Sequence, residues 1–482
     1  MRLANAHVLD LATGESVLRD LWVRDGRLER LPTEDADEID LDGRFVLPGL
    51  WDAHVHMTQW AMHSRRLDLS SARSAAQAAD LVATALRTHP STEPLLGAGF
   101  RDALWPDEPT AHLLDAVTGP HPVVLVSVDL HSVWANTAGL AHYGVHHPTG
   151  HLVEHDAFAF QTRLAEVSVE VIDGWVADAA RDAASRGVVG VVDYEMAWNP
   201  EAWRRRIASG LDTLRVKAAT YPLELDRAIG EGLHTGRELD DSGLLTMGPL
   251  KIIADGSLTA RTAWCHSPYP IPGVNGPQGS PNYEWAELVD LVGRAEHGGL
   301  DCAVHAIGDR TAAMALDAFS VTGARGSIEH AQLLTPDDRG RMAALGLTAS
   351  VQPAHLLDDR GAADTLWAGR TAGAFAYASL RDAGVPLVFG SDAPVAPLNP
   401  WLAVRAAVTR TGDDREPWHP EQRLSMSDSL AASTGGVRAL VPGAPADLIA
   451  LDVNPFDVDP DRLSEIRTSV TMVAGHVTHR AH

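Results

Sequence analysis

Cysteine is almost absent from this 482-residue chain, with Cys265 and Cys302 the only two. A disulfide framework or a cysteine-built zinc site is thereby excluded. Long apolar runs are missing as well: no stretch of 18 uncharged apolar residues occurs, so no membrane span is expected. Basic charge is scarce, with 39 Lys and Arg against 64 Asp and Glu, for a formal net charge of -25. Nucleic acid and anionic membrane surfaces need clustered Lys and Arg, so neither is an expected partner. The first residues carry no basic segment followed by an apolar core, and a cytoplasmic, reducing setting is the default expectation.

What is abundant is histidine, with 23 residues, in a chain of ordinary globular composition that is 45% hydrophobic. Short apolar runs with Asp25-Gly26 and Asp42-Gly43 between them predict a small antiparallel β unit over residues 1–48. Similar runs at 446–451 and 470–478 suggest that a C-terminal part, 436–482, pairs with it into one β-sandwich. Between the two, apolar strands alternate with Ala-rich helical stretches, the pattern of a parallel sheet. Eight strands can be counted, at 51–56, 188–193, 214–220, 250–254, 302–305, 327–330, 347–351 and 387–392. Helices are expected at 309–319, 336–344 and 375–383. The reading is an α/β fold: a (β/α)8 TIM-like barrel over 49–435 plus the composite β-sandwich. Residues from about 58 to 186 exceed the strand count and read as an insertion after the first strand, either a lid or a purely structural subdomain.

Chemistry concentrates at the carboxyl ends of those strands, where a parallel barrel carries its active site. His54-Val-His56 closes the first, and residues two apart on a strand share a face, so two imidazoles can share one metal ion. Lys251 interrupts the apolar fourth strand; burial favours its neutral amine, which can take up CO2 as a carbamate, or else it pairs with Asp255 or another carboxylate. His305 and His330 end the fifth and sixth strands, and Asp392 closes the apolar eighth. A buried carboxylate there must be hydrogen-bonded, paired or metal-bound. Together these six side chains predict a metal site in one barrel mouth.

The segments Leu47-Pro-Gly-Leu-Trp-Asp-Ala-His-Val-His56, Gly97-Ala-Gly-Phe-Arg-Asp102 and Lys251-Ile-Ile-Ala-Asp-Gly-Ser257 resemble the amidohydrolase superfamily. So do Val304-His-Ala-Ile-Gly-Asp309, Glu329-His-Ala-Gln332, Gly390-Ser-Asp-Ala-Pro394 and the tail from Pro442 to Asp452. The likeness is to its amidohydrolase-3 branch, the group resembling N-substituted formamide deformylases. That resemblance implies a metal-dependent hydrolase of an amide-like, non-peptide C–N bond in a small molecule. His54, His56 and Asp392 would hold one divalent ion, and a carboxylated Lys251 would bridge to a second held by His305 and His330. Zinc suits these donors, with one or two ions open. Asp392 would be the general base. The resemblance puts His131, in Asp129-Leu-His-Ser132, near the substrate or in a structural hydrogen bond, and Arg261 is the candidate cation for the substrate. A homodimer is compatible with all of this. Ring deaminases are the rival enzymes, but they place Glu three residues after the fifth-strand His, where this chain has Gly308. A non-catalytic barrel would be expected to have lost ligands, and here none is missing.

Overall fold

A computed structural model of the chain describes all residues except 33–36, 89–91, 103–104, 128–131, 154, 165–166, 272, 274–275 and 482. Two compact units are found: Met1–Trp60 with Ala177–His482, and Ala61–Val176.

In the larger unit, eight strands lie side by side in chain order, every neighbouring pair parallel. They are β1 (Leu50–Val55), β2 (Val188–Asp193), β3 (Arg215–Thr220), β4 (Leu245–Ile253), β5 (Cys302–Ala306), β6 (Gly326–His330), β7 (Thr348–Val351) and β8 (Leu387–Phe389). The ring closes where Val55 bridges Ala393, with Asp392 N–H donating to His54 O at 2.6 Å and His56 N–H to Ala393 O at 2.9 Å. This is the barrel expected from eight buried apolar runs.

Two strand limits depart from the sequence expectation by three residues or more. β4 begins at Leu245, five residues early, because the strand runs through Gly248-Pro249. Proline lacks the N–H for the ladder, and the β3–β4 register shifts between Ala218 and Thr220, opposite this segment. β8 stops at Phe389, since Asp392 turns into the left-handed region at φ 56°. The helix Pro336–Ala344 matches its expected limits, with Pro at its start and the Thr335 hydroxyl accepting from Asp338 N–H at 3.2 Å.

Strands from both ends of the chain share one sheet, in which Phe45–Pro48 pairs antiparallel with Leu448–Leu451. The N-terminal part is mixed rather than purely antiparallel. Arg2–Leu9 runs antiparallel to Ser16–Arg24 but parallel to Glu38–Asp40 and Phe45–Pro48. The chain crosses over before Phe45 so that Phe45–Pro48 can lead directly into β1. One apolar core joins this sheet to the barrel, including Leu47, Leu50, Val189, Trp401, Ile449 and Leu451.

The smaller unit holds a five-stranded sheet, ordered His151–Val153, Ser132–Ala135, Val123–Ser127, Leu95–Phe100, Leu67–Asp68. Val123 and Leu125 pack in one core while Val124 and Val126 pack in another. The period-two alternation thus buries both faces of the central strand, which explains its unbroken apolar sequence.

Candidate metal centre

Inside the barrel, Tyr194, Ala219 and Ala303 fill the core next to Val192. Above them the side chains become ionisable. His54 is fully buried, its Nδ1 2.5 Å from Glu329 Oε2. A carboxylate can only accept, so Nδ1 carries the hydrogen and Nε2 keeps its lone pair. That Nε2 lies 3.0 Å from Lys251 Nζ and 3.5 Å from Asp392 Oδ1. His56 Nε2 approaches the same Oδ1 at 3.4 Å. His330 packs against His54 and His305, ring centroids 5.1 and 4.5 Å apart. Donor atoms of His54, His330 and Asp392 lie within 4.8 Å of one another, near enough to share a metal ion.

Sequence reasoning placed His54 and His56 on one strand face, but β1 ends at Val55 and His56 starts the turn beyond it. The backbone bond to Ala393 then sets where His56 points. His330 has a similar origin. Strand parity alone would send Glu329 and His330 to opposite faces. The left-handed conformations of His330 (φ 69°) and Ala331 (φ 45°) break that parity, so both side chains reach the site.

Burial sets the protonation states. It lowers His54 to about 4, with the Lys251 charge adding to the effect, and takes His330 well below its ordinary value. Burial also lowers Lys251, despite the carboxylates of Glu329 and Asp392. Burial by itself would raise Asp392, but the imidazoles of His54, His56, His330 and His355 outweigh it and hold the carboxyl well below the usual range. Neutral imidazoles, an ionised carboxylate and a lysine drawn toward its neutral form are what a divalent cation requires of its ligands. The buried Nδ1 atoms of His56 and His330 have no hydrogen-bond partner among the described residues, so each ring keeps a nitrogen unmatched by protein groups. The residues therefore fit such an ion.

These shifts fix the sign of a stability change in the metal-free protein. Unfolded, both histidines take up protons near pH 6.5; folded, His54 resists down to about 4 and His330 lower still. The unfolded chain thus binds more protons in that window, and stability falls on acidification. Asp52, pushed up to about 6 by burial, works in the opposite direction, as do Asp193 and Asp359, also raised by burial, while His63, lowered by burial, adds to the two imidazoles. The urea midpoint of metal-free protein is expected to be lower at pH 5 than at pH 7. An equal or higher midpoint at pH 5 would contradict it.

The other sequence candidates distribute unevenly. His305 Nε2 lies 3.3 Å from Asp255 Oδ1 and 3.3 Å from Gly256 O. Asp255 is therefore not Lys251's partner; it accepts from the backbone N–H groups of Trp264, Ile307 and Gly308. Arg261 follows β4 in a left-handed conformation, half-buried, without an ion pair among the described residues. His131 lies outside the described residues.

Sequence reasoning gave no role to Glu329, Tyr194, Asp52 or His355. Glu329 was visible as a carboxylate beside a strand-end histidine. Asp52, two residues before His54, accepts from the N–H groups of His54 and Ser391 at 3.0 and 2.9 Å, tying β1 to the turn after β8. Gly390 allows the same closure, since a Cβ there would stand 2.6 Å from His54 N and Cβ. Gly390→Ala is expected to cost ~1–3 kcal/mol through overpacking and to displace His54, read as a lower melting temperature with reduced metal content.

A parallel barrel carrying buried histidines, a lysine and an aspartate at its mouth is the architecture of metal-dependent hydrolases. Comparison with known proteins agrees: the amidohydrolase-family model matches residues 37–479, and the chain belongs to that family. Protein LONG AFTER FAR-RED 3 of Arabidopsis thaliana is 29% identical over 87% of this chain and 80% of its own. N-substituted formamide deformylase of Arthrobacter pascens is 25% identical over 98% and 97%. A crystal structure of an uncharacterized metal-dependent hydrolase from Pyrococcus horikoshii superposes with a TM-score of 0.76 at 26% identity, covering 95% of this chain and 98% of that one.

Proposed function

We propose that this protein hydrolyses a non-peptide C–N bond of a small N-formyl, N-acyl or cyclic amide. The observation that carries the reading is the buried cluster in which Glu329 fixes His54 with Nε2 facing both Lys251 and Asp392. His54, His56 and Asp392, with Lys251, His305 and His330, would hold one or two divalent ions, zinc being the best match to nitrogen and carboxylate donors. When bound, such an ion lowers the pKa of water toward ~7 and polarises an acyl oxygen.

The chain's own groups account for the rest. Asp392, ionised and only 9% exposed, accepts a proton from the attacking water and returns it to the leaving nitrogen. Tyr194, hydrogen-bonded to Glu329 at 3.5 Å and raised well above its ordinary value by burial, keeps its proton and stays a donor. Lys251, if its neutral amine adds to CO2 with loss of a proton, supplies an anionic oxygen donor. Arg261 and His131 are the proposed contacts for polar groups of the substrate.

Metal quantification on purified protein, followed by a screen of N-formyl, N-acyl and cyclic amides, tests the reading. Bound metal with amide cleavage is the expected result. Ammonia released from an aminated ring would instead favour deamination, and metal-free, inactive protein would favour a non-catalytic barrel.

A further inference from the structure

Asp392 turns its Oδ1 toward His54 and His56, which leaves its second oxygen to be explained. Oδ2 faces His355, the first residue of the helix His355–Leu366 that follows β7, with Nε2 3.9 Å away. The His355 ring stacks on His330 at 6.2 Å with an interplanar angle of 17°. A separation of 3.9 Å is too long for a hydrogen bond, and Nε2 is buried with no hydrogen-bond partner among the described residues. Leaving a buried ring nitrogen unmatched is costly unless a polar group bridges it and the carboxylate from one side. Asp359, one helical turn on, accepts from Gln332 Nε2 at 3.1 Å and attracts the His355 ring electrostatically, but makes no hydrogen bond to its Nε2 among the described residues.

We propose that the leaving nitrogen of the substrate sits beside the Asp392 Oδ2–His355 Nε2 pair, within hydrogen-bond reach of both, and that His355 accepts its N–H. The inference rests on the amide-hydrolase reading and adds a selection rule: the scissile nitrogen must carry a hydrogen. During cleavage the protonated Asp392 gives its proton to the nitrogen lone pair. The C–N bond breaks with its electron pair going to nitrogen, and the amine departs. His355 keeps its own protonation state throughout; by holding the N–H it turns the lone pair toward Oδ2. An N-alkylated amide offers carbon where Nε2 needs hydrogen.

The test compares the best N–H substrate of the amide panel with its N-methyl derivative in wild type, His355→Ala and His355→Gln, metal content measured in each. Wild type is expected to favour the N–H amide. His355→Ala should lose about ten- to a hundredfold in kcat/KM on that amide and little on the derivative, so the ratio falls toward one. Glutamine, whose side-chain oxygen accepts the same hydrogen, should restore part of the preference. Calorimetry on metal-loaded Asp392→Asn, where turnover is blocked, should show tighter binding of the N–H amide, with that advantage lost when His355→Ala is added. An unchanged ratio in His355→Ala at full metal content overturns the role of His355 and leaves amide hydrolysis standing. Loss of metal in His355→Ala would make His355 a ligand and also overturn it. A metal-loaded wild type that cleaves no amide of the panel overturns the functional reading, and this inference with it.

Discussion

Replacing Asp392 with asparagine is expected to lower kcat by about a thousandfold while leaving the protein folded. Asparagine tolerates the left-handed backbone that Asp392 adopts, at φ 56°, better than most residues, so the turn closing the barrel should survive. The loss is chemical. The amide cannot accept the water proton, and it removes the one negative charge that His54, His56, His330 and His355 surround. Steady-state kinetics with melting curves and metal content check the prediction. A variant that keeps a tenth of wild-type kcat would remove Asp392 from the proton-transfer step.

Glu329→Gln is expected to weaken metal binding by ~10–100-fold and to cost ~1–3 kcal/mol of stability. Glu329 is completely buried and accepts from His54 Nδ1, the Ser327 hydroxyl and the Tyr194 hydroxyl. Burial would raise its pKa, but the His54 hydrogen bond, with Lys251 nearby, keeps it below its ordinary value and ionised. A glutamine that turns its NH2 toward Nδ1 forces the hydrogen of His54 onto Nε2, the nitrogen that faces Lys251 and Asp392. The metal-facing lone pair is then lost although no ligand has been removed. Titration with zinc in a competing chelator measures the affinity, and denaturant unfolding measures the stability. Unchanged affinity would show that Glu329 is only a packing residue.

Much of this was legible in the chain itself. The eight strands could be counted because a parallel barrel buries both faces of each strand and writes it as an apolar run. His54, His56, Lys251, His305, His330 and Asp392 stood out because each is an ionisable residue in or just after such a run. What could not be read were the departures from strand geometry. His330 enters the site through a positive φ, and Asp392 sits three residues beyond its strand. The mixed pairing of Arg2–Leu9 depends on a crossover that carries no periodic signal. His355 was hidden for a related reason: it opens a helix rather than closing a strand, and its meaning comes from the direction of Asp392 Oδ2.

The seam between β1 and the turn after β8 has a consequence for the order of events in the cell. Asp52 and Ser391, joined across it, are 339 positions apart, so this contact is among the last a growing chain can make. His54 and His56 leave the ribosome long before Asp392, which would complete the proposed set. With Asp392 among the proposed ligands, the full set comes together only when this seam closes.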